Sequence, residues 1–450
     1  MPKFKASTFK WLVVLSVCLM VLSVQSVKAK AMDPAAIEAQ RVAANRASIT
    51  DFGAVGDGQT LNTVKIQSVI DQLAAEGGGT LVIPKGVFLS GALFLKPDVD
   101  LYLEQGAVLR GSTNVMDYPK TKTRIEGHFE EWLPALINAD HCDHLRITGS
   151  GTLDGNGLGF YTKFWAARRK DPQVTNLAVE RPRLMLIEDS RDVQIDGITF
   201  TNSGFWNLHL YRCQDVLVEN SRFEVPGNLK CPSTDGTDID SCQYITIRGC
   251  TYNVDDDCIG LKGSKGPFAM TDKESPPVAH IRVSDCTFER GNGVLTLGSE
   301  ATLVHDVLVQ NCRVVGKVNL AVLKLRPDTP QHYEDIHYRN ITLNSQGSVI
   351  NVQPWTQFFD LKGQKPPKSL VNNVTLSDIK GSCRSFGVVR GATNQTSICD
   401  ITLKNINVQA EKPQLIAVNV KDLRTGNVMV NGKPLSVGNS GEDAMDKPKD

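Results

Sequence analysis

The sequence has no excess of either charge, no cysteine spacing typical of a zinc site, and few of the turns that join hairpins. Lysine plus arginine and aspartate plus glutamate each number 49 in 450 residues, which gives no support for nucleic acid or an anionic membrane as a partner. Eleven cysteines are too few to staple so long a chain, and the spacing of Cys242, Cys250 and Cys258 matches no zinc pattern. We therefore expect no metal and no cofactor. In an oxidising compartment, Cys383 and Cys399 are the candidates for a disulfide.

The N-terminal segment has the layout of a secretory signal. A basic start, MPKFKASTFK, precedes the apolar run WLVVLSVCLMVLSV and the small-residue sequence AKA at positions 29–31. The apolar run has fourteen residues, which is too short for a stable membrane span. Cleavage after Ala31 would remove five lysines and no acidic residue, leaving 44 basic and 49 acidic residues and a net charge of −5. We expect a secreted or periplasmic monomer that has no membrane contact once residues 1–31 are removed.

Short segments of one pattern recur along the chain without a strict period. Each has Asn, Asp or Gly before alternating apolar positions, as in DGITF, RGCTY, SDCTF, QNCRV and RNITL. One position of this pattern is small or aliphatic, and it falls at Ile198, Ser221, Cys250, Cys286, Cys312, Ile341, Ile379 and Ile406. The intervals range from 23 to 38 residues, which suits coils whose outer loops differ in length. The pattern predicts an all-β parallel β-helix with this position stacked in its core.

The two ends of the predicted solenoid differ from its repeats. Residues 35–47, AAIEAQRVAANRA, have a helical composition, and we expect a helical segment at 32–47 that caps the open end of the stack. Residues 62–79 have the pattern of an amphipathic helix stopped by glycines, with apolar residues at Val64, Ile66, Val69, Ile70 and Leu73. The solenoid is expected over 48–435, followed by a flexible polar tail at 436–450. A β-sandwich is the competing all-β fold, but it requires hairpin turns such as Asn-Gly, which are scarce.

Three consecutive aspartates, Asp255, Asp256 and Asp257, interrupt a stretch that otherwise has the pattern of a buried strand, VDDDCIGL. Aspartate is a poor strand former, and adjacent like charges repel. The cluster therefore indicates a solvated turn, a calcium-binding loop, or carboxyl groups that share one small site. Because adjacent strand residues point to opposite faces, Asp256 and Asp257 can face one cleft only from a strand end, turn or bulge. Cys258 and Ile259 would then return to the core.

Two regions of the chain resemble known proteins. Residues 49–88, which begin ITDFGAVGDG and end GGGTLVIPKGVF, resemble the start of pectin-degrading β-helix proteins. The sequences STDGTDIDSCQYITI and VDDDCIGLKG resemble glycoside hydrolase family 28, the polygalacturonase family, whose motifs are Asn-Thr-Asp-Gly, Asp-Asp-Cys, Gly-His-Gly and Arg-Ile-Lys. The likeness covers roughly residues 48–431 and implies a right-handed, pectate-lyase-like parallel β-helix. It also implies hydrolysis of linkages in pectic polysaccharide or oligosaccharide.

The resemblance implies roles for three aspartates. Asp235 in STDG takes the place of the family's first catalytic aspartate, and Asp256 and Asp257 in DDC take the places of the other two. By resemblance, Asp256 is the general acid, while Asp235 and Asp257 hold and deprotonate the water. Asp235 and Asp256 are 21 residues apart, close to one coil, and stacked parallel strands lie roughly 4.8 Å apart. With a lateral offset their carboxyl groups can reach the roughly 6.5–9.5 Å of an inverting glycosidase, and crowding raises one pKa so that an acid is available.

Two motifs depart from the family pattern. Gly-His-Gly is GNG here, with Asn292 in place of the histidine. Arg-Ile-Lys is KLR, with Lys324 and Arg326 at the same spacing but in reversed order. These two cations are the leading candidates for binding a uronate carboxylate beside the acids, because a guanidinium can grip a carboxylate with two hydrogen bonds. We include Asn292 among the predicted substrate-binding residues.

Five further residues lie near the aspartates in the predicted coils. Lys262 follows the aspartate run and either binds substrate or is a solvated lysine. Trp206 and His209, in NSGFWNLHL, share a coil near the site. Trp206 offers a sugar-facing ring or packs in the core, and His209 makes a substrate contact or a structural hydrogen bond. Asp238 and Asp240 lie at alternate positions of one strand, and we expect them to face outward with no catalytic role.

Three functions fit these motifs. The first is an inverting glycoside hydrolase that cuts galacturonic-acid linkages in pectin, with exo action because the loops at 264–280 and 354–368 are long enough to close one end of a cleft. A rhamnogalacturonan backbone is an alternative substrate, because the family histidine is missing. The second is a calcium-dependent pectate lyase on the same scaffold. The third is a glycan-binding β-helix without catalysis.

Overall fold

The computed structural model describes residues 45–355 and 359–439. The predicted signal at 1–31, most of the predicted helical cap at 32–47, and residues 440–450 of the predicted tail lie outside the described residues. The first described strand is Arg46–Ser48, so strand structure begins two residues before the predicted boundary at Ser48. The last strand, Val437–Gly438, falls inside the predicted tail. The strands of the solenoid therefore extend slightly past both predicted ends.

The described residues contain two α-helices, four short 3₁₀ turns and thirty-three strands. The helices are α1 (Thr63–Ala75) and α2 (Leu158–Lys170). The 3₁₀ turns are Ile49–Phe52, Val115–Asp117, Asn176–Ala178 and Ala269–Thr271. The first twelve strands are β1 (Arg46–Ser48), β2 (Asp57–Leu61), β3 (Gly79–Ile83), β4 (Gly86–Ser90), β5 (Leu93–Leu95), β6 (Val99–Leu103), β7 (Ala107–Gly111), β8 (Thr121–Ile125), β9 (His128–Trp132), β10 (Ile137–Asp140), β11 (Arg146–Gly149) and β12 (Thr152–Asp154).

The middle strands, which follow α2, are short and regularly spaced. They are β13 (Met185–Glu188), β14 (Arg191–Asp196), β15 (Thr199–Thr201), β16 (Leu208–Tyr211), β17 (Gln214–Glu219), β18 (Arg222–Glu224), β19 (Thr237–Asp240), β20 (Gln243–Arg248), β21 (Thr251–Asn253), β22 (Ile259–Lys262) and β23 (Val278–Ser284). The remaining strands are β24 (Thr287–Leu297), β25 (Leu303–Gln310), β26 (Arg313–Leu325), β27 (His332–Ser345), β28 (Ser348–Pro354), β29 (Ser369–Arg390), β30 (Thr396–Val418), β31 (Val420–Val430), β32 (Lys433–Pro434) and β33 (Val437–Gly438). The later strands are longer because some run through a corner of the coil without a break.

Each strand pairs in parallel with the equivalent strand of the next coil. In the middle of the chain this partner is three strands further on, as in the series β10, β13, β16, β19 and β22. Two exceptions are antiparallel: the β8–β9 hairpin, which forms a separate sheet, and the contact between β31 and β32. We call the sheet formed by β16, β19, β22, the C-terminal halves of β24 and β26, and β28 the cleft sheet. The predicted parallel β-helix is confirmed.

The predicted repeat position forms a column in the core of the solenoid. Its eight residues are all at most 2% exposed and lie at equivalent positions in successive coils: Ile198, Ser221, Cys250, Cys286, Cys312, Ile341, Ile379 and Ile406. The residue before each of them has a positive φ, and it is Gly, Asn or Asp in every coil. These residue types tolerate the left-handed conformation better than others. The pattern therefore marks the corner of each coil, where the chain turns and the next side chain enters the core.

Helix α1 covers part of the first coils. Ile66, Val69, Ile70 and Leu73 are buried against the core, as the amphipathic pattern predicts. Val64 is instead 84% exposed, because the predicted apolar face is one residue too wide at the start of the helix. Gly77 and Gly78 follow the helix with positive φ values and turn the chain into β3.

The cysteines of the described residues are all free thiols. Cys383 and Cys399, the candidates for a disulfide, are not bonded to each other, and nine of the ten described cysteines are buried. They therefore serve as small apolar residues of the stack. Within the described residues, none of the helices has the length and apolar character needed to cross a membrane.

Candidate active site

Three aspartates meet at the N-terminal ends of two neighbouring strands of the cleft sheet. Asp235 lies two residues before β19, and Asp256 and Asp257 lie in a bend between β21 and β22. Cys258 and Ile259 then return to the core, where both are fully buried. The predicted break in the strand is thus confirmed, because it lets two consecutive aspartates point toward Asp235.

Backbone hydrogen bonds hold the two aspartate segments against each other. The N–H of Gly236 donates to the carbonyl of Asp257 at 2.9 Å, and the N–H of Asn207 donates to the carbonyl of Asp235 at 2.9 Å. One carboxylate oxygen from each of Asp235, Asp256 and Asp257 lies within 4.8 Å of the others. The three carboxyl groups therefore converge on one small site.

Two lysines neutralise two of the carboxylates. The ammonium of Lys262 lies 3.1 Å from Oδ2 of Asp235, and that of Lys324 lies 2.8 Å from Oδ2 of Asp257. Burial alone would lower the pKa of each lysine, but the surrounding carboxylates outweigh it and raise both values. The hydroxyl of Thr296 also donates to Oδ1 of Asp257 at 2.8 Å. A cation and a neutral donor therefore hold the side chain of Asp257 in place.

Asp256 has the opposite electrostatic environment. Burial, and then the negative charges of Asp235 and Asp257, raise its pKa to about 8. Oδ1 of Asp256 accepts hydrogen bonds from the side-chain amide of Asn292 at 2.9 Å and from the N–H of Asp257 at 3.0 Å. Oδ2 is left for the proton. At neutral pH the raised pKa of Asp256 supplies a protonated carboxyl group, next to Asp257, which is paired with Lys324, and Asp235, whose pKa is raised by burial against the opposing charge of Lys262.

Asn292 lies in the site, but its observed role differs from the predicted contact with substrate. Its amide donates to Asp256, and its own N–H donates to the carbonyl of Asp256 at 2.8 Å. The side-chain amide of Asn319 donates to the carbonyl of Asn292 at 2.6 Å, and Oδ1 of Asn319 accepts from Ser348. Three coils thus contribute to holding the acid. Sequence reasoning did not find Asn319 and Ser348, because both lie in ordinary strand patterns.

Arg326 departs from its predicted position beside the acids. Its guanidinium makes two hydrogen bonds of 2.8 Å to the carboxylate of Asp328, and its side chain is almost fully buried. Lys324, two residues earlier, does reach the carboxylate cluster. Its ammonium also lies 4.9 Å from the ring centre of Trp355, which is half-buried at the end of the cleft sheet. Trp355 is therefore an aromatic residue next to the acids, which sequence reasoning left out of the site.

Trp206, His209 and Lys262 are too deeply buried for the predicted substrate contacts. Trp206 is 3% exposed and lies with its ring centre 5.0 Å from the ammonium of Lys262. His209 is fully buried and hydrogen-bonds through Nδ1 to the guanidinium of Arg183 at 2.8 Å. Burial lowers the pKa of His209 to about 4, so the ring is neutral. All three residues support the floor of the site from below.

The third aspartate of the run is structural. Oδ2 of Asp255 accepts a hydrogen bond from the N–H of Cys231 at 2.7 Å, and Oδ1 lies 3.5 Å from the guanidinium of Arg290. Asp255 therefore ties the bend to the preceding loop and faces away from the carboxylate cluster. These contacts account for the first aspartate of the run, which does not join the carboxylate cluster.

One side of the cleft is covered by the β8–β9 hairpin and the loop that follows β22. Arg124 of the hairpin is buried and donates to Asp240 at 3.2 Å and to the hydroxyl of Ser264 at 3.3 Å. The ammonium of Lys265 lies 3.5 Å from the carboxylate of Glu126. The hairpin and the loop therefore form a single wall that is fastened to the cleft sheet by ion pairs.

Comparisons with known proteins agree with this geometry. The family model described as glycosyl hydrolases family 28 matches residues 76–431. A probable polygalacturonase of Vitis vinifera is 29% identical over 312 residues, which span 67% of this chain but only 61% of that protein. An exopolygalacturonase of Zea mays is 26% identical over 401 residues, 84% of this chain and 88% of that one. The structure of a hyperthermoactive exopolygalacturonase from Thermotoga maritima is similar with a TM-score of 0.66 and 22% identity, covering 86% of this chain and 92% of that one.

Proposed function

The chain belongs to glycosyl hydrolases family 28 and is a glycoside hydrolase, and from this membership we propose that it hydrolyses galacturonic-acid linkages in pectic glycans from a chain end. The observation that supports this most strongly is the set of three carboxyl groups within 4.8 Å, of which one is protonated and the other two are paired with lysines. Acid–base hydrolysis requires a proton donor and an ionised acceptor in one site.

In the proposed mechanism Asp256 is the general acid. Its proton passes to the glycosidic oxygen as the bond to the anomeric carbon breaks. A water held by Asp235 and Asp257 attacks that carbon, and one of these carboxylates takes up the water's proton. The reaction ends with Asp256 as a carboxylate and the base protonated, so the base must release its proton to solvent and Asp256 must take one up before the next turnover.

Exchange of two neighbouring aspartates tests this assignment. Asp256→Asn removes the transferable proton and is expected to lower kcat by about 10²–10⁴-fold, while the fold persists. Asp255→Asn is the matched control, because Asp255 contacts the N–H of Cys231 and the guanidinium of Arg290 rather than the cluster. Reducing-end release from galacturonan oligosaccharides is the assay. Retained activity in Asp256→Asn would rule out this acid.

Exo action is supported by the wall described above and by the name of the Zea mays relative. A wall along one side of the cleft limits where a glycan chain can continue, which favours binding of a chain terminus. We expect small products of one size from homogalacturonan and little early loss of viscosity. A parallel incubation with rhamnogalacturonan fragments tests the alternative substrate. If rhamnogalacturonan is the true substrate, its fragments will release reducing ends faster than homogalacturonan. Random product sizes would contradict exo action.

The stereochemical outcome needs its own measurement. We propose inversion, in which a water stands between the general acid and the base, as expected from the offset of one coil between Asp235 and Asp256. The anomeric configuration of the first product, followed by NMR, distinguishes inversion from retention. The calcium-dependent lyase is tested by running the same reaction with and without a chelator and recording ultraviolet absorbance. Unsaturated products that disappear with chelator would show that the reaction is elimination and not hydrolysis.

We also propose that the protein is exported, that its signal is cleaved after Ala31, and that it acts as a monomer outside the cytoplasm. The basic start, the apolar run and the AKA sequence support export. N-terminal sequencing of the mature protein checks the cleavage site, and light scattering checks the monomer.

A further inference from the structure

Asp238 is a buried carboxyl group next to the catalytic cluster that the mechanism above does not use. It lies in the middle of β19, and its neighbours Thr237 and Ile239 are buried on the core side. Asp238 therefore faces away from the core, as predicted from the alternation. Its side chain is nevertheless 0% exposed, because other residues cover this part of the cleft sheet. The contacts of Asp238 argue against the prediction that it has no role in catalysis.

Asp238 differs from Asp240, two residues further along the same strand and equally buried. Asp240 accepts hydrogen bonds from the guanidinium of Arg124 at 3.2 Å and from the hydroxyl of Ser241 at 2.7 Å. Despite its burial these partners lower the pKa of Asp240 below its ordinary value. No described residue donates a hydrogen bond to either oxygen of Asp238. The same residue type on the same strand thus occurs once with donors and once without them.

The charged groups around Asp238 act in opposite directions, Lys262 lowering its pKa and the neighbouring aspartates raising it, and burial tips the balance toward the neutral form. Lys262 on β22 is 3.4 Å from Oδ1 of Asp238 but lies closer to Asp235, to which it donates at 3.1 Å. His209 is the direct neighbour of Asp238 on β16 and is neutral. Burial, and then the charge of Asp235, raise the pKa of Asp238 well above its ordinary value, and Asp257 adds to the rise. Because a buried carboxylate without donors is strongly disfavoured, Asp238 keeps its proton.

Gly260 provides the space for this carboxyl group. It is the direct neighbour of Asp238 on β22. A Cβ atom at position 260 would lie 2.5 Å from Oδ1 of Asp238 and 2.8 Å from Cε of Lys262. Any larger residue would push Asp238 and Lys262 away from Asp235. The cleft sheet therefore has a gap at the place where these three side chains meet.

We propose that Asp238 is a positioning residue that remains a neutral carboxylic acid and donates a hydrogen bond to Asp235. The donated hydrogen bond orients the Asp235 carboxylate toward the water and favours its ionised form, since donors stabilise the charged state of an acceptor. Together with Lys262, it gives the base two donors on the side away from substrate. This inference rests on the proposed function for the role of Asp235, but not for the protonation state of Asp238.

Two substitutions of Asp238 distinguish the effect of its hydrogen-bond donor from the effect of its charge. Asp238→Asn keeps the shape and one donor, and Asp238→Leu removes the donor. We expect Asp238→Asn to retain the wild-type acid limb of the kcat/KM profile. We expect Asp238→Leu to move that limb up by about one pH unit, because Asp235 loses a donor, which means about a tenfold loss at low pH. An unchanged limb in Asp238→Leu would overturn the positioning role.

Unfolding by urea as a function of pH tests the protonation state without any need for turnover. The folded-state pKa of Asp238 is raised, so wild-type stability falls as pH rises from the ordinary value of the group toward the folded value. Asp238→Asn has no carboxyl group to titrate at this position and does not lose stability in this way. The difference in unfolding free energy between Asp238→Asn and wild type is therefore expected to increase with pH. Asp240→Asn is the matched control on the same strand and is expected to lose stability at pH 7. A less stable or unfolded Asp238→Asn at pH 7 would show that Asp238 is ionised. Absence of hydrolysis in the wild-type protein would instead refute the proposed function and leave this result standing.

Discussion

Replacing Asn292 by alanine tests how Asp256, the proposed general acid, is held. The side-chain amide donates to Oδ1 of Asp256 at 2.9 Å, and the contact is exposed. A hydrogen bond to a charged acceptor contributes about 1.5–3 kcal/mol. The protonated form of Asp256 retains part of this energy, so we take the difference between its ionised and protonated forms as about 1.4 kcal/mol for this exposed contact. This corresponds to about one pH unit. Because the amide favours the carboxylate, its removal raises the pKa of Asp256, and the alkaline limb of kcat/KM moves up from near pH 8.

The assay is reducing-end release from a galacturonan oligosaccharide across the pH range, with kcat/KM determined at each pH. Asn344→Ala is the control, because Asn344 is an exposed residue of β27, outside the cleft sheet, that accepts a hydrogen bond from the hydroxyl of Ser382 at 3.4 Å. The control is expected to keep the wild-type profile. An alkaline limb that stays in place or moves down in Asn292→Ala would refute the reasoning, because it would mean that the amide does not act on the acid.

Two further substitutions test the packing of the site. Lys324→Met removes the ammonium that lies 2.8 Å from the carboxylate of Asp257, which is 1% exposed. We expect the free energy of unfolding in urea to fall by about 3–5 kcal/mol, and an unchanged midpoint would contradict this. Gly260→Ala puts a methyl group 2.5 Å from Oδ1 of Asp238 and is expected to lower stability by about 1–3 kcal/mol and to reduce kcat. Gly426→Ala is its control, since the added carbon would have its nearest neighbour at 4.0 Å, and equal losses in both variants would argue against a specific clash.

The fold was largely predictable because each coil repeats the same local constraint. A residue that tolerates positive φ, then a small or aliphatic core residue, recurs from Gly197 and Ile198 to Asn405 and Ile406. Both properties depend on residues that are adjacent in the chain. The bend at Asp256 was predictable for a similar reason, because strand alternation forbids two consecutive side chains on one face.

The depth of the site was not predictable from local patterns. Trp206 and His209 lie under a wall whose main fastening joins Arg124 to Asp240, 116 residues apart. Nothing in the sequence around either residue indicates that contact. Arg326 was misplaced because its partner Asp328 is two residues away, and spacing alone does not tell which carboxylate a guanidinium selects. Asp238 shows the same difficulty, since alternation predicts the face of a strand but not what covers it.

The proposed catalytic centre draws on four successive rungs of the stack, from Asp235 before β19, through Asp256 before β22 and Asn292 in β24, to Lys324 in β26. In a solenoid each rung is stabilised only by its two neighbours, so the ends can fray while the middle holds. If unfolding starts at β1 or at β31, the site stays assembled until unfolding reaches one of these four rungs. Thermal inactivation will therefore follow the loss of the middle rungs and lag behind the first loss of strand signal.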